Sequence, residues 1–348
     1  MKTLRPTSLL YRLPTILHSL KALYRLSPKQ VDNFLNSYEI YHCDWINGQA
    51  VVDSKVVEYK DVKESILNYY GVLNHLCAIG AVEKMYIPPF IDVTKGVMEN
   101  QVLFERRFCE QLGIKQGDKV LELGCGKGRV AAHLASLTKA SITAINIDQG
   151  QLDSAKKFTK KNHLSQLCHF MNADFNVLPL PFADHSFDSL YEIQALSLSK
   201  DLKKLFQEMH RVLKPGGKIS FLEWVRMPNY NPSDPHHADL MKRVKPLIGA
   251  IGTPSPEEYE SLLQEAGFDV IVSEEPSVNR GQGPLINKAG DDYNTIARML
   301  NIGVKIKLFP KYFTVLFDRL RQDGQAFRQA ERLGLVTTSY HLVAQKRK

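Results

Sequence analysis

From about residue 116 onward, short apolar runs alternate with longer stretches whose apolar residues recur every three or four positions. The first pattern reads as buried strands and the second as one face of a helix. "KVLELG" (119–124) predicts a strand and "RVAAHLASL" (129–137) a helix. "SITAINI" (141–147) predicts the next strand, followed by a helix over "QGQLDSAKKFTKK". Strands follow at "CHFMNAD" (168–174) and "FDSLYEI" (187–193), then the amphipathic helix "DLKKLFQEMHRVL" (201–213). A turn at "KPGG" leads to the strand "KISFLEWV" (218–225), then a helix at "EYESLLQEAGF" and a strand at "FDVIVSEE" (268–275). A mostly helical insert over 276–335 precedes a last strand, "SYHLVAQ" (339–345). Such alternation predicts an α/β fold built on a doubly wound, mostly parallel sheet.

The texture before residue 116 differs. Residues 1–60 read as a basic helical extension and 61–115 as a helical lid segment. That segment is broken at "YIPPF" (86–90), where Pro88 and Pro89 cannot continue a helix. The sheet core is bounded at 116–275, a helical C-terminal lid insert at 276–335, and a final strand and tail at 336–348. "LRPTSLLYRLPTILHSLKALYRLS" mixes Leu, Ile and Tyr with Arg and Lys at helical intervals, and Arg12, Pro14 and Lys21 interrupt any secretory apolar run. Its plain reading is a surface helix packed on the domain. The sharper one is peripheral membrane contact through residues 1–45. No run approaches about eighteen uninterrupted apolar residues, so a spanning helix is not expected. A cytoplasmic location follows, with attachment to the endoplasmic reticulum surface as its variant.

Composition narrows this a little. The 348 residues are 44% hydrophobic and 24% charged, which is ordinary for a globular protein. A net charge of +8 fits an acidic ligand, an anionic membrane or RNA, but a solvated basic surface is the commoner explanation. The five cysteines are scattered without a C-x-x-C pair, which points to a reduced compartment and no structural zinc.

The chemistry starts at "LELGCGKG", where Gly124, Gly126 and Gly128, with Cys125 among them, follow a strand and precede a helix. Backbone there must turn tightly and approach a ligand closely. A dinucleotide loop would continue G-x-G-x-x-G, but 129 is Arg and 131 is Ala; a Walker loop needs G-K-[ST], but Lys127 precedes Gly128. Glu122, two residues before the first glycine, suits S-adenosyl-L-methionine, whose methionine amino group an acid can reach. The second strand ends "AINID", where an acid normally grips ribose hydroxyls. Asn146 holds that position, with Asp148 second in rank and Gln151 in the same turn. In "NADF", Asp174 is placed to accept from the adenine amino group beside Phe175, or else to cap a turn. No D/N-P-P-Y element for a flipped base follows the fourth strand, so nucleic acid is not expected as acceptor.

The run "DFNVLPLPFADHSFDSLYEIQAL", then "LFQEMHRVLKPGGKISFLEWV", "YNPSDPHH", "LLQEAGF" and the closing "AERLGLVTTSYHLVAQK", resembles the sterol C-methyltransferase family. "INIDQGQ" is similar to that family's Asn-rich turn, and Glu223–Trp224 is the most specific short match. The resemblance runs from about residue 65 to the C-terminus. It implies a class I, Rossmann-like methyltransferase with a seven-stranded sheet and S-adenosylmethionine as donor. It also implies a sterol or similar lipophilic acceptor, held in a pocket under the N- and C-terminal helical parts. "LIGAIG" (247–252) and "MLNIGVKIKLFPKYF" (299–313) are apolar enough to line such a pocket, or to be ordinary core.

Departures from the family refine the expectation. Side-chain (C-24) enzymes carry Tyr-Glu-Tyr-Gly-Trp-Gly before the glycine loop, where this chain has "CAIGAVEKMYIPP" (77–89), keeping Gly80. They carry Ile-Glu-Ala-x-x-His after the fourth strand, where this chain has Gln194 and Leu198. Methylating an alkene creates a carbocation that needs carboxylates or aromatic faces nearby. A 3-oxo sterol methylated at C-4 through an enol or enolate needs instead a base and neutral donors. The divergent elements resemble those of nematode-type sterol 4-C-methyltransferases. Gln194 and Tyr86 could donate to the ketone oxygen, and Glu83, Glu192 or His75 could be the base. Their plain readings are solvated charges for both Glu, a packed helix residue for His75 and a lid anchor for Tyr86. The remaining alternatives are a C-24 enzyme, a methyltransferase for another lipophile, including O- or N-methylation, and a lipid-binding relic without catalysis.

Overall fold

The computed structural model describes residues 9–80, 82–278 and 281–347. The first eight residues of the suggested membrane segment, Ala81 of the Gly80 motif and Lys348 of the tail lie outside them. Helices α1 (Leu9–Tyr24) and α2 (Pro28–Asn36) lead through a 3-10 turn at Ser37–His42 into a small antiparallel sheet of β1 (Asp44–Ile46), β2 (Gln49–Val52) and β3 (Lys55–Val57). This corrects the reading of 1–60 as helical throughout. The signal was present in the turns: Asn47–Gly48 and Asp53–Ser54 all take positive φ (50°, 78°, 47° and 63°), the geometry that matches hairpin twist. Ser19 and Leu23 of α1 are buried, so the helix packs on the domain, while Leu13, Leu17 and Tyr24 face outward.

Helices α3 (Tyr59–Ile79) and α4 (Val97–Leu112) flank the break at "YIPPF". The expected alternation then follows as β4 (Lys119–Leu123), α5 (Arg129–Thr138), β5 (Ser141–Asn146), α6 (Gln149–Lys161), β6 (Cys168–Asn172), β7 (Phe187–Ile193), α7 (Leu202–Val212) and β8 (Leu213–Arg226). A helix not expected from the sequence, α8 (Pro235–Ile248), precedes α9 (Pro256–Glu265) and β9 (Phe268–Glu274). The insert is α10 (Gly283–Lys305), α11 (Tyr312–Arg321) and α12 (Gly324–Arg332), and β10 (Val336–Lys346) closes the sheet.

The seven strands lie in the order β6-β5-β4-β7-β8-β10-β9. β4 to β8 are parallel, and β10 runs antiparallel to both β8 and β9. Alternation along the strands fills two layers: Leu121, Leu123 and Ile145 enter one core, Val120, Ile142 and Ala144 the other. "KPGG" is not a turn before β8 but lies inside it. The register steps from Phe187↔Leu213 to Ser189↔Lys218, so the extra residues form an irregular bulge. Among the described residues no helix is long and apolar enough to cross a membrane, and all five cysteines are free thiols. The C-terminal ends of β4, β5, β7 and β8 meet at one edge, where ligands of open α/β sheets bind.

Candidate functional site

The backbone N–H groups of Gly124 and Cys125 donate to the Ile145 carbonyl at 3.0 Å, fastening the glycine turn to β5. Gly124 has φ +72°, and a Cβ there would stand 2.8 Å from the Ala195 side chain, so the position admits only glycine. Gly124 and Gly126 share a cavity of about 100 Å³ with Tyr59, Asn146, Asp148, Gln151, Asp174 and Phe175. Asn146 Nδ2 donates to Gln151 Oε1 (3.2 Å), and Asp148 caps α6 by accepting from Gln151 N (3.1 Å). Asp174 accepts from the Tyr59 hydroxyl at 2.9 Å and from Asn176 N at 3.0 Å, and pairs with Lys63 at 3.0 Å. These bonds pin the start of α3 over the cradle. Glu122 is buried beneath the glycine turn, with the Tyr191 hydroxyl beside it and no hydrogen-bond partner on Oε2. Burial pushes its pKa up to about 8.

A larger cavity of about 720 Å³ adjoins this cradle and shares Tyr70, Met85 and Gln194 with it. α3, α8, α10 and α12 supply most of its wall, through residues such as Leu73, Leu247, Leu285 and Phe327. One side is the strap at 84–92. Gln101 Nε2 donates to the Lys84 and Tyr86 carbonyls (3.1 and 3.0 Å), Asn100 Oδ1 accepts from Ile91 N and Asp92 N (2.9 Å each), and Gln282 Nε2 reaches the Pro88 carbonyl (2.8 Å). Gly80 is kept for packing, since a Cβ there would meet the Tyr293 ring at 2.3 Å. Gln194 has a left-handed backbone (φ +54°), an uncommon state for a non-glycine residue. Its Oε1 accepts from Ile87 N (3.2 Å), and its Nε2 donates to the carbonyls of Ile87 (3.0 Å) and Thr338.

Beneath the 195–198 turn lie two fully buried carboxyl groups. Glu192 accepts from Ala195 N, and Glu223 accepts from Leu196 N (2.6 Å) and Trp224 N (3.1 Å). Parallel pairing of β7 with β8 brings the two side chains into contact, and burial together with their mutual proximity raises Glu192 well above the carboxylate range. Glu223 is raised too, chiefly by burial. A contact between two carboxyls without a cation requires a shared proton.

The family model for the methyltransferase domain matches residues 121–221. The chain is 35% identical over 205 residues to a sterol 24-C-methyltransferase of Pneumocystis carinii, covering 55% of this chain and 52% of that protein. It is 26% identical over 262 residues to the sterol 24-C-methyltransferase ERG6 of Saccharomyces cerevisiae, covering 75% and 67%. Among solved structures it is similar to the [4+2]-cyclase SpnF, with a TM-score of 0.65, 19% identity and 81% and 95% of the two chains covered. The cyclopropane synthase MmaA2 of Mycobacterium tuberculosis gives 0.60, 13%, and 94% and 98%. The fold is that of class I methyltransferases, residues 121–221 match a methyltransferase domain, and the chain spans about half the length of the Pneumocystis carinii relative.

The methyltransferase domain implies S-adenosylmethionine as cofactor, and the cradle at the glycine turn offers polar groups of the kind it needs. Asn146 and Gln151 line this cradle, whereas Glu122 lines none of these cavities; we propose that its unpaired carboxyl oxygen reaches the ammonium group and that Asn146 and Gln151 meet the ribose. Asp174 and Phe175 line the same cradle, where Asp174 already has three protein donors. Asp148 spends one oxygen as a helix cap. Gly128 lies at the start of α5, and Cys125 is buried in the turn.

The five catalytic candidates do not gather. Only Gln194 and Tyr86 line the large cavity, and neither has a spare donor: both Gln194 N–H groups are engaged, and the Tyr86 hydroxyl donates to Glu105 at 2.6 Å. Tyr86 is therefore a lid anchor and Gln194 a clamp, which corrects their placement as ketone donors. Burial would raise Glu105, yet Lys84 and His133 beside it hold it below its ordinary value. Glu83 (paired with Arg129 at 3.4 Å) and His75 open on a separate cleft of about 450 Å³ beside the glycine loop. Burial lowers His75 to about 4, and its Nδ1 lies 3.3 Å from Ser19 Oγ. Glu192 is buried rather than solvated. The sequence reading missed Tyr70, and it missed Trp224 as a cavity residue whose indole N–H has no partner although the side chain is only 3% exposed. Gln194→Glu should unlock the strap by removing two donors and facing a carboxylate toward the Ile87 and Thr338 carbonyls. We expect a loss of roughly 2–4 kcal/mol of stability in thermal melts, and an unchanged Tm would dismiss the clamp.

Proposed function

We propose that this methyltransferase moves the methyl group of S-adenosylmethionine to a carbon of a sterol, at C-4 of the ring nucleus of a 3-oxo sterol. The observation that carries this reading is the apolar cavity contiguous with the cofactor cradle, with the Trp224 N–H unpaired in its wall. A volume of about 720 Å³ accommodates a tetracyclic lipid. A buried, neutral N–H suits an oxygen that gains negative charge as an enolate forms. Asp318, the carboxylate among the described lining residues, is paired with Arg321 at 2.7 Å. When bound, S-adenosylmethionine supplies an electrophilic methyl group on a sulfonium. The chain's own part is to orient the sterol, exclude water and remove the C-4 proton. Tyr70 faces the cavity, with the Glu192–Glu223 pair acting electrostatically on its hydroxyl, so this pair is our candidate acceptor for the proton. The C-4–H bond breaks, the C-4–CH3 bond forms, and the sulfonium becomes a thioether.

Methylation of the side chain at C-24 is the second reading. The names of the similar proteins favour it, and the aromatic faces of Tyr69, Tyr70, Tyr293 and Trp224 in the cavity wall could stabilise a cation. The test is incubation with methyl-labelled S-adenosylmethionine and a sterol panel including 3-oxo forms, reading the methyl position by NMR. A methyl on C-4 supports the first reading, one on C-24 replaces it with the second, and transfer only to another class of lipophile sinks both. Under the first reading, Trp224→Phe should lower kcat/KM for the 3-oxo substrate by about 100-fold. Unchanged turnover would take Trp224 out of the site.

A further inference from the structure

We infer that the end of α10, together with the outward stripe of α1, docks this protein on an anionic lipid bilayer. Met299, Ile302 and Ile306 follow helical spacing on one face and are 68%, 60% and 68% exposed, and Leu308 just beyond them is 60% exposed. Contiguous, strongly exposed large apolar side chains mark an interaction surface rather than ordinary scatter. Their frame is cationic: residues 293–317 contain Arg298, Lys305, Lys307 and Lys311, all exposed, and no acid. α1 repeats the pattern, with Leu13, Leu17 and Tyr24 outward on one face, in a stretch (residues 1–31) that also lacks any Asp or Glu. The Tyr312 hydroxyl donates to the carbonyls of Leu23 and Tyr24 at 3.0 Å each, joining the end of α1 to the start of α11. Apolar side chains inside a lysine and arginine fringe complement an acyl boundary under anionic headgroups.

The same helix links this surface to the site. The first half of α10 supplies Leu285, Ile286 and Tyr293 to the large cavity, and its last turns carry the exposed stripe. A lipophilic acceptor would thus enter from the bilayer beside a wall of its own pocket. Docking itself does not depend on which carbon is methylated.

The experiment is sedimentation of the full chain with phosphatidylcholine vesicles and with vesicles containing phosphatidylserine. We expect binding to the anionic vesicles that weakens as salt rises. It should fall at least tenfold in the triple variant Met299→Ser, Ile302→Ser, Ile306→Ser, and also in Lys305→Glu, Lys307→Glu, whose apolar stripe is untouched. Thermal melts and S-adenosylmethionine binding check that both variants fold. A wild-type chain that stays in solution, or variants that bind like wild type, would overturn the proposal. So would a dimer in light scattering that the triple variant dissolves without any vesicle binding, since the stripe would then serve a second copy of the chain. Vesicle binding is read without methyl transfer, so its failure is distinct from failure of the proposed reaction.

Discussion

Replacing Glu122 with Gln is expected to weaken S-adenosylmethionine binding roughly 10- to 100-fold while raising the melting temperature of the cofactor-free chain. Both effects come from one group. The Glu122 carboxyl is buried with an unpaired oxygen, and burial lifts its pKa from an ordinary 4.5 to about 8. Between those values the folded chain holds a proton that the unfolded chain has released. Stability contributed by the group is therefore present below about pH 4.5 and is lost as pH rises toward 8. Gln keeps the shape without the titration, so the variant's stability should lose that slope. A bound ammonium reverses the balance, because it favours the carboxylate. Binding below pH 8 should then release a proton, and wild-type affinity should fall as pH drops. A hydrogen bond to a charged group is worth about 1.5–3 kcal/mol, which sets the expected loss in affinity. Calorimetry in buffers of different ionisation enthalpy measures both quantities. Equal affinity and equal proton release in the variant would remove Glu122 from the cradle.

What could be read from the sequence was what depends on local pattern. The strand–helix alternation from Lys119 to Val212 lies within a residue or two of its expected bounds, because each element is set by its own apolar period. The glycine turn, Asn146 and Asp174 lie together at one cavity because each follows a strand end directly, and strand ends could be read locally. The acceptor side was not legible, because its geometry is made by distant pairings. Nothing local to Gln194 announces a left-handed backbone or a side chain clamped to Ile87 and Thr338. Likewise Glu192 reads as a solvated charge, unrelated to Glu223, until β7 and β8 align and bury the two together. The small sheet at 44–57 was missed although Asn47–Gly48 carries a hairpin signal, because its strands are too short for an apolar period to show.

The second large effect should come from Glu192→Gln, which should flatten the dependence of stability on pH and cut turnover. Both carboxyls of the pair are raised by burial, Glu192 the more strongly, with its neighbour's charge adding to the effect. Their stabilising form is the protonated one, complete below the ordinary carboxylate range. It is eroded as pH rises and the pair is driven to lose its shared proton. In the variant, the amide oxygen can still accept from Ala195 N while the amide N–H donates permanently to Glu223. Melts between pH 5 and 9 should therefore lose the pair's share of the slope and keep that of Glu122, with the gain over wild type largest at the alkaline end. Glu192→Ala, by contrast, should cost about 3–5 kcal/mol, since Glu223 would be left buried without its partner. If the pair also takes the substrate proton through Tyr70, Glu192→Gln should lower kcat by at least about 100-fold with little change in KM. A variant with the reduced slope but undiminished kcat would confine the pair to holding the 195–198 turn. Unaltered melts would sink the shared proton itself.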